Sequence, residues 1–134
     1  VQAVQSASEV GEAILADIEG APWPLAGRQF GAVVVTNYLW RPLLPTLIAS
    51  VAEGGVLLYE TFAHGNASVG RPARPDFLLQ PGELIAACTG LRVVAYENGY
   101  LHAPERFVQR IAAVRVPAHA DTGAPPRHPL APPL

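Results

Sequence analysis

The residues with the most chemical potential in this chain gather at the end of one apolar run. Residues 31–40, GAVVVTNYLW, pass from small and β-branched side chains to an amide, a phenol and an indole. Asn37 and Tyr38 supply polar groups that orient a bound molecule without adding charge, and Leu39 follows them directly. Asp17, placed after a short apolar stretch, is suited to accept hydrogen bonds from a ribose or an adenine amine, although by spacing alone a turn or cap role is the first reading. Trp23, between Pro22 and Pro24, offers an aromatic wall for a purine or a buried anchor. Glu60 and Thr61 close a second apolar run. Arg71, Arg74 and Asp76 belong to a glycine- and proline-rich stretch, as groups that close over a substrate or as solvated loop charges.

Positioning these residues requires a sheet. Val33, Val34 and Val35 do not alternate with polar residues, so a strand buried on both faces is expected, and the carboxyl end of such a strand is where ligands sit in open α/β sheets. Pro42 suits a first helical turn, Leu43, Leu44, Leu47, Ile48 and Val51 recur at helical spacing, and Gly54-Gly55 is expected to end the helix. Residues 56–62, VLLYETF, complete a strand, helix and strand, which predicts a right-handed βαβ unit with parallel strands. Upstream, residues 12–15 suit a short strand, residues 20–24 a turn, and residues 1–10 a weakly helical mixture. Downstream come a long loop over 63–81, a short helix over 82–88, a third strand over 91–97, an Asn98-Gly99 turn, and a fourth strand over 107–116 that returns antiparallel. The expected domain is residues 1–116, followed by a proline-rich disordered tail over 117–134.

Composition narrows the function. With 134 residues, half of them apolar, one domain with a real core is expected. A net charge of −2 with interspersed signs gives no footprint for nucleic acid or an anionic membrane. No apolar run approaches the roughly 20 residues of a membrane helix. Cys88 is the only cysteine, which excludes an internal disulfide and fits a reducing, cytoplasmic setting. Ser6, Ser8, Ser50 and Ser68 lack a nucleophile elbow, no glycine-rich phosphate cradle is present, and His119 and His128 are poorly spaced for a metal, so no metal is expected.

Taken in order, ADIEGAPWPL, GAVVVTNYLWRPLLP, GGVLLYETFAHGN, GRPARPDFLLQPGEL, LRVVAYENGY and VQRIAAVR resemble the carboxyl-terminal half of bacterial class I S-adenosylmethionine-dependent methyltransferases, close to the tellurite-resistance-type small-molecule group. The resemblance runs from about Ala16 to Arg115. It implies an α/β fold: a partial Rossmann-like sheet carrying the third to seventh strands, the last two an antiparallel hairpin, with the first two strands missing. It further implies that Asp17 lies near the adenine amine, that Ile18 gives backbone contact to the ring, that Trp23 or Leu25 lines the pocket, and that Asn37, Tyr38 and Leu39 flank the methionine part. Glu60, Thr61 and Arg71 are then expected on the substrate side. Catalysis in such enzymes is largely alignment, and no dedicated general base is assigned. The glycine-rich turn and the ribose-binding acidic residue of the family have no counterpart, and Gly31 stands where Asp is common.

Two functions follow as expectations. The first is methyl transfer from S-adenosylmethionine to a small molecule, as part of a larger parent domain and impaired in this chain alone. The second is a noncatalytic remnant serving as an interaction module, a homodimer pairing through the otherwise exposed strand edge. A chance match to a different α/β binding domain predicts instead that the strands of Val33 and Leu57 are not neighbours.

Overall fold

The consecutive valines form a strand, β1 (Phe30–Thr36), and a second, β2 (Val51–Phe62), runs parallel beside it with Val33 opposite Leu57. That adjacency counts against the chance-match reading. The computed structural model describes residues 11–118 and 123–132; the expectation for residues 1–10, and His119, lie outside them. Two further strands, β3 (Arg92–Leu101) and β4 (Arg106–Val114), pair antiparallel, and β4 also pairs antiparallel with β2. The result is a mixed four-stranded α/β sheet in the order β1-β2-β4-β3.

Between β1 and β2 the chain makes a 3-10 turn at Arg41–Leu43 and then α1 (Leu44–Ala49); α2 (Glu83–Ala87) precedes β3. Leu44 and Leu47 of α1 and Leu84 and Cys88 at α2 pack on Leu57, Tyr59, Ile111 and Ala113, alternate residues of the two central strands. The core therefore occupies one face of the sheet. Burial pushes the Cys88 thiol up to about 11, so it is an inert core group.

Several expectations are corrected. Residues 12–15 form no strand: residues 11–17 are irregular, and Leu15 is 72% exposed, because no neighbouring strand offers the ladder of hydrogen bonds a strand needs. The β1 strand is not covered on both faces. Among the described residues it is an edge strand, whose Val33 and Val35 turn to the core while Val34 is 63% exposed; an apolar run without alternation does not reveal that one face lacks a partner there.

The helix ends at Ser50 rather than at Gly54-Gly55, and β2 begins at Val51. The Arg115 guanidinium reaches across to donate to the carbonyls of Ile48 (2.8 Å), a helix-end acceptor, and of Val51 (2.7 Å), the first residue of β2. The two glycines instead absorb a register shift between Phe30 and Ala32, and a Cβ on Gly55 would lie 2.9 Å from the Phe30 carbonyl oxygen.

Asn98-Gly99 is not a turn. Both residues pair within the β3–β4 ladder, and the chain reverses at residues 102–105. The Glu97–Arg110 pair (2.6 Å) and the tilted rings of Tyr100 and Phe107 (centroids 5.2 Å apart) extend the hairpin past the local turn signal. The described part of the tail, residues 117–118 and 123–132, contains no helix or strand.

Candidate functional site

At the carboxyl end of β1 the backbone must leave the sheet abruptly. Asn37 takes φ = 55°, a left-handed conformation that asparagine tolerates better than most residues, while its N–H still donates to the Glu60 carbonyl (2.9 Å). The reversal swings Tyr38 outward and drives Leu39, 5% exposed, into the core. The Tyr59 hydroxyl then donates to the Tyr38 carbonyl at 2.6 Å, fixing the corner from the neighbouring strand. Burial pushes the Tyr59 phenol up to about 12, so it remains a donor at neutral pH.

The segment before β1 folds over this corner. Asp17 Oδ1 accepts from the Glu19 and Gly20 N–H groups, both at 3.0 Å, closing the turn; these two bonds, Gly20 first, hold its carboxyl below the usual carboxylate range. The turn role falls to Oδ1, and Oδ2 takes no part in those bonds. The Tyr38 hydroxyl donates to Glu19 Oε2 at 2.5 Å, joining the turn to the strand end. Desolvation, reinforced by that carboxylate, pushes the Tyr38 phenol far up, so it stays protonated.

A cleft of about 930 Å3 lies between turn and strand end, lined among others by Asp17, Ile18, Trp23, Leu25, Asn37 and Tyr38. The expected adenine-side and methionine-side residues are therefore neighbours, Leu39 excepted. A smaller cleft of about 260 Å3 adjoins it through Glu19, Asn37 and Tyr38, and Leu39 and Thr61 line that one. Glu60 and Thr61 face opposite sides of the sheet, as strand alternation requires. Glu60 is paired with Arg110 (3.2 Å) on the face away from the core and is not brought to either cleft. Arg71 is exposed and lines neither cleft; Arg74 is paired with Asp76 at 2.8 Å.

Residues not foreseen as important hold this arrangement. Glu19, two positions beyond Asp17, shares both clefts, and the only signal for it was membership of the same acidic turn. Arg41 binds Glu83 through two nitrogens (2.7 and 3.0 Å) and donates to the Leu78 carbonyl (2.8 Å), fastening the 63–81 loop between the helices. These bonds tie the loop to the start of α2. Asn66, 1% exposed, also anchors it. Among the described residues no group of three or more His, Cys, Asp or Glu side chains is arranged to hold a metal ion.

Glu83 gives the fold a pH dependence. Burial pushes its carboxyl up, but the Arg41 hydrogen bonds, the Gln80 N–H and the Arg41 charge together pull it below its ordinary 4.5. A depressed folded value means that this stabilisation is present above the ordinary value and is lost as pH falls through the folded one. Between about pH 6 and about pH 3 the urea midpoint of Glu83→Gln is therefore expected to fall less than that of the parent chain.

No protein-family model matches the chain, and no curated protein matches it. Nine chains of solved structures do. One is the crystal structure of TehB from Haemophilus influenzae, which this chain resembles at 19% identity with a TM-score of 0.49. The match covers 66% of this chain and 36% of that one, so the chain spans a little over a third of that protein's length.

Proposed function

We propose that the larger cleft binds S-adenosylmethionine and that the chain serves methyl transfer to a small molecule, as part of a larger parent domain and with activity impaired in this chain alone. One observation carries the reading. Asp17, Ile18, Trp23, Asn37 and Tyr38, singled out from sequence at two places up to 21 positions apart, meet in one cleft at the carboxyl end of the parallel pair.

The chemistry of the lining fits a nucleoside. Ile18, Trp23 and Leu25 give an apolar and aromatic wall for a purine, and Asp17 Oδ2 remains to accept from an exocyclic amine. Asn37 and Tyr38 stand where the amino-acid portion would extend, and the cofactor, when bound, supplies the reactive methyl. The protein's share is alignment and exclusion of water. No carboxylate after a preceding strand is available among the described residues for the ribose hydroxyls, which is the reason activity is expected to be impaired.

Calorimetry with S-adenosylhomocysteine tests this directly. Saturable heat is expected, and Trp23→Ala is expected to weaken binding about tenfold through loss of base stacking. No heat at high protein concentration removes cofactor binding from this chain.

A second reading, a noncatalytic module that pairs with a copy of itself, is supported by the sheet's open side. There Val34 (63% exposed) and Leu58 (42%) stand side by side on an unpaired edge strand and its neighbour. Light scattering on the eluting protein separates the two, since a well-folded monomer excludes self-association.

A further inference from the structure

Beside the proposed cofactor cleft lies the smaller one of about 260 Å3, room for roughly eight or nine waters at about 30 Å3 each, and hence for a ligand of similar heavy-atom count. Its chemistry is uneven. Leu39, Phe62 and Phe77 make most of the wall apolar, and among the described residues Glu19 is the only charged one lining it. Glu19 Oε2 is held by the Tyr38 hydroxyl, which fixes the carboxylate at the mouth without cancelling its charge. The neighbouring guanidinium groups do not balance it: Arg74 is paired with Asp76, and neither Arg71 nor Arg74 lines the cleft.

A second observation points to a ligand independently. Thr61 is 2% exposed, yet its hydroxyl makes no hydrogen bond within the described residues. Thr61 lines this cleft. Buried hydroxyls are ordinarily satisfied, and a side chain spent this way on the sheet's covered face marks a position awaiting a polar atom. The Asn37 amide, held by its left-handed backbone at the same mouth, is likewise without a side-chain partner.

We propose that this smaller cleft is a binding site for a compact organic cation, an amine carried on an aromatic or branched apolar body of about eight non-hydrogen atoms. The ammonium faces Glu19, with Thr61 and Asn37 accepting its remaining hydrogens, and the apolar body packs between Leu39, Phe62 and Phe77. An anion of the same shape meets the Glu19 carboxylate and no cation, and is rejected. The site needs no cofactor, so it stands apart from the methyl-transfer reading.

The test is an NMR titration of the amide spectrum of the full chain with benzylamine, benzyl alcohol and benzoate, three probes of one shape and different charge. Benzylamine is expected to give saturable shifts centred on Asn37, Thr61 and Phe77, with benzoate at least about tenfold weaker. Glu19→Gln, a change at an exposed side chain, is expected to lower benzylamine affinity about tenfold, to the level of benzyl alcohol, which it leaves unchanged. Tyr38→Phe frees Glu19 Oε2 and is expected to raise benzylamine affinity a few-fold.

Equal binding of benzoate, shifts centred elsewhere, no shifts at all, or indifference to Glu19→Gln overturns the proposal. S-adenosylhomocysteine titrated separately reads the larger cleft, so a failure of one reading leaves the other's result intact.

Discussion

Replacing Gln109 with leucine is expected to cost about 2–4 kcal/mol of folding stability, more than any surface substitution in the chain. Gln109 is fully buried on β4, and its amide works in both directions. Its Oε1 accepts from the Leu84 N–H at 2.8 Å, one of the donors that a helix start leaves unpaired, and its Nε2 donates to the Gln80 carbonyl at 2.9 Å. The Gly82 residue at the α2 N-cap brings no side chain to do this. Leucine matches the shape but leaves a buried N–H and a part-buried carbonyl without partners, the first costing about 1–3 kcal/mol and the second less.

Urea unfolding is the measurement, read as a lowered midpoint with an unchanged slope. Asn98→Ala serves as the control. Its Oδ1 lies 3.4 Å from Gln109 Nε2, a distance at which little hydrogen bonding remains, so a change within about 0.5 kcal/mol is expected. A Gln109→Leu variant as stable as the parent would show that water reaches these groups and that α2 is not capped from β4.

Asn66→Ala is the second large effect, and it separates the clefts from the core. Asn66 Oδ1 accepts from the Phe107 N–H at 2.9 Å and its Nδ2 donates to the Pro72 carbonyl at 2.9 Å, tying the loop to β4 at one end and to itself at the other. Gly65 beside it adopts φ = 107° against the Phe107 ring, where a Cβ would come within 2.9 Å, so the loop cannot repack closely around a larger residue. Loss of both bonds is expected to cost about 2–3 kcal/mol and to open the 67–76 stretch to protease well below the global unfolding midpoint.

Since Pro72 and Phe77 line the smaller cleft, the same variant is expected to blur benzylamine binding while leaving S-adenosylhomocysteine binding in the larger cleft nearly unchanged. Uniform protease resistance in Asn66→Ala would mean that Arg41, with its bonds to Glu83 and the Leu78 carbonyl, holds the loop alone.

The contrast between Arg41 and the two amides shows where sequence reasoning stops. Arg41, Asn66 and Gln109 lie in three different segments, and no local pattern assigns any of them a partner. Their partners are up to 42 positions away in sequence, and nothing local distinguishes them from solvated polar residues. Asn37 and Tyr38 were legible for the opposite reason: they follow a strand end, and chain polarity alone decides which end of a parallel pair is open, whereas Asp17 reaches the same cleft from a turn and not from a strand.

The strands themselves divide in the same way. The β1–α1–β2 unit was readable because valine runs, helical spacing and a crossover of ordinary length all agree, and the antiparallel return of β4 beside β3 followed from adjacency. The boundaries at Ser50 and at residues 98–99 were not readable, since Arg115 caps the helix from the end of the chain's last strand and the Tyr100–Phe107 contact carries the hairpin past its strongest turn dipeptide.

By itself, then, the sequence determined an α/β chain with a parallel βαβ unit, an antiparallel hairpin and a cluster of amide, phenol and carboxylate groups at one strand end, because these depend on local pattern and chain direction. Only the tertiary structure decided that β1 is an edge with one bare face and that residues 12–15 form no strand. It also decided that Glu60 and Thr61 part to opposite sides, and that Glu19, not Arg71, is the charged residue shared by both clefts. Those outcomes depend on which surfaces find partners across the fold, and burial and hydrogen bonding reward only partners that are present.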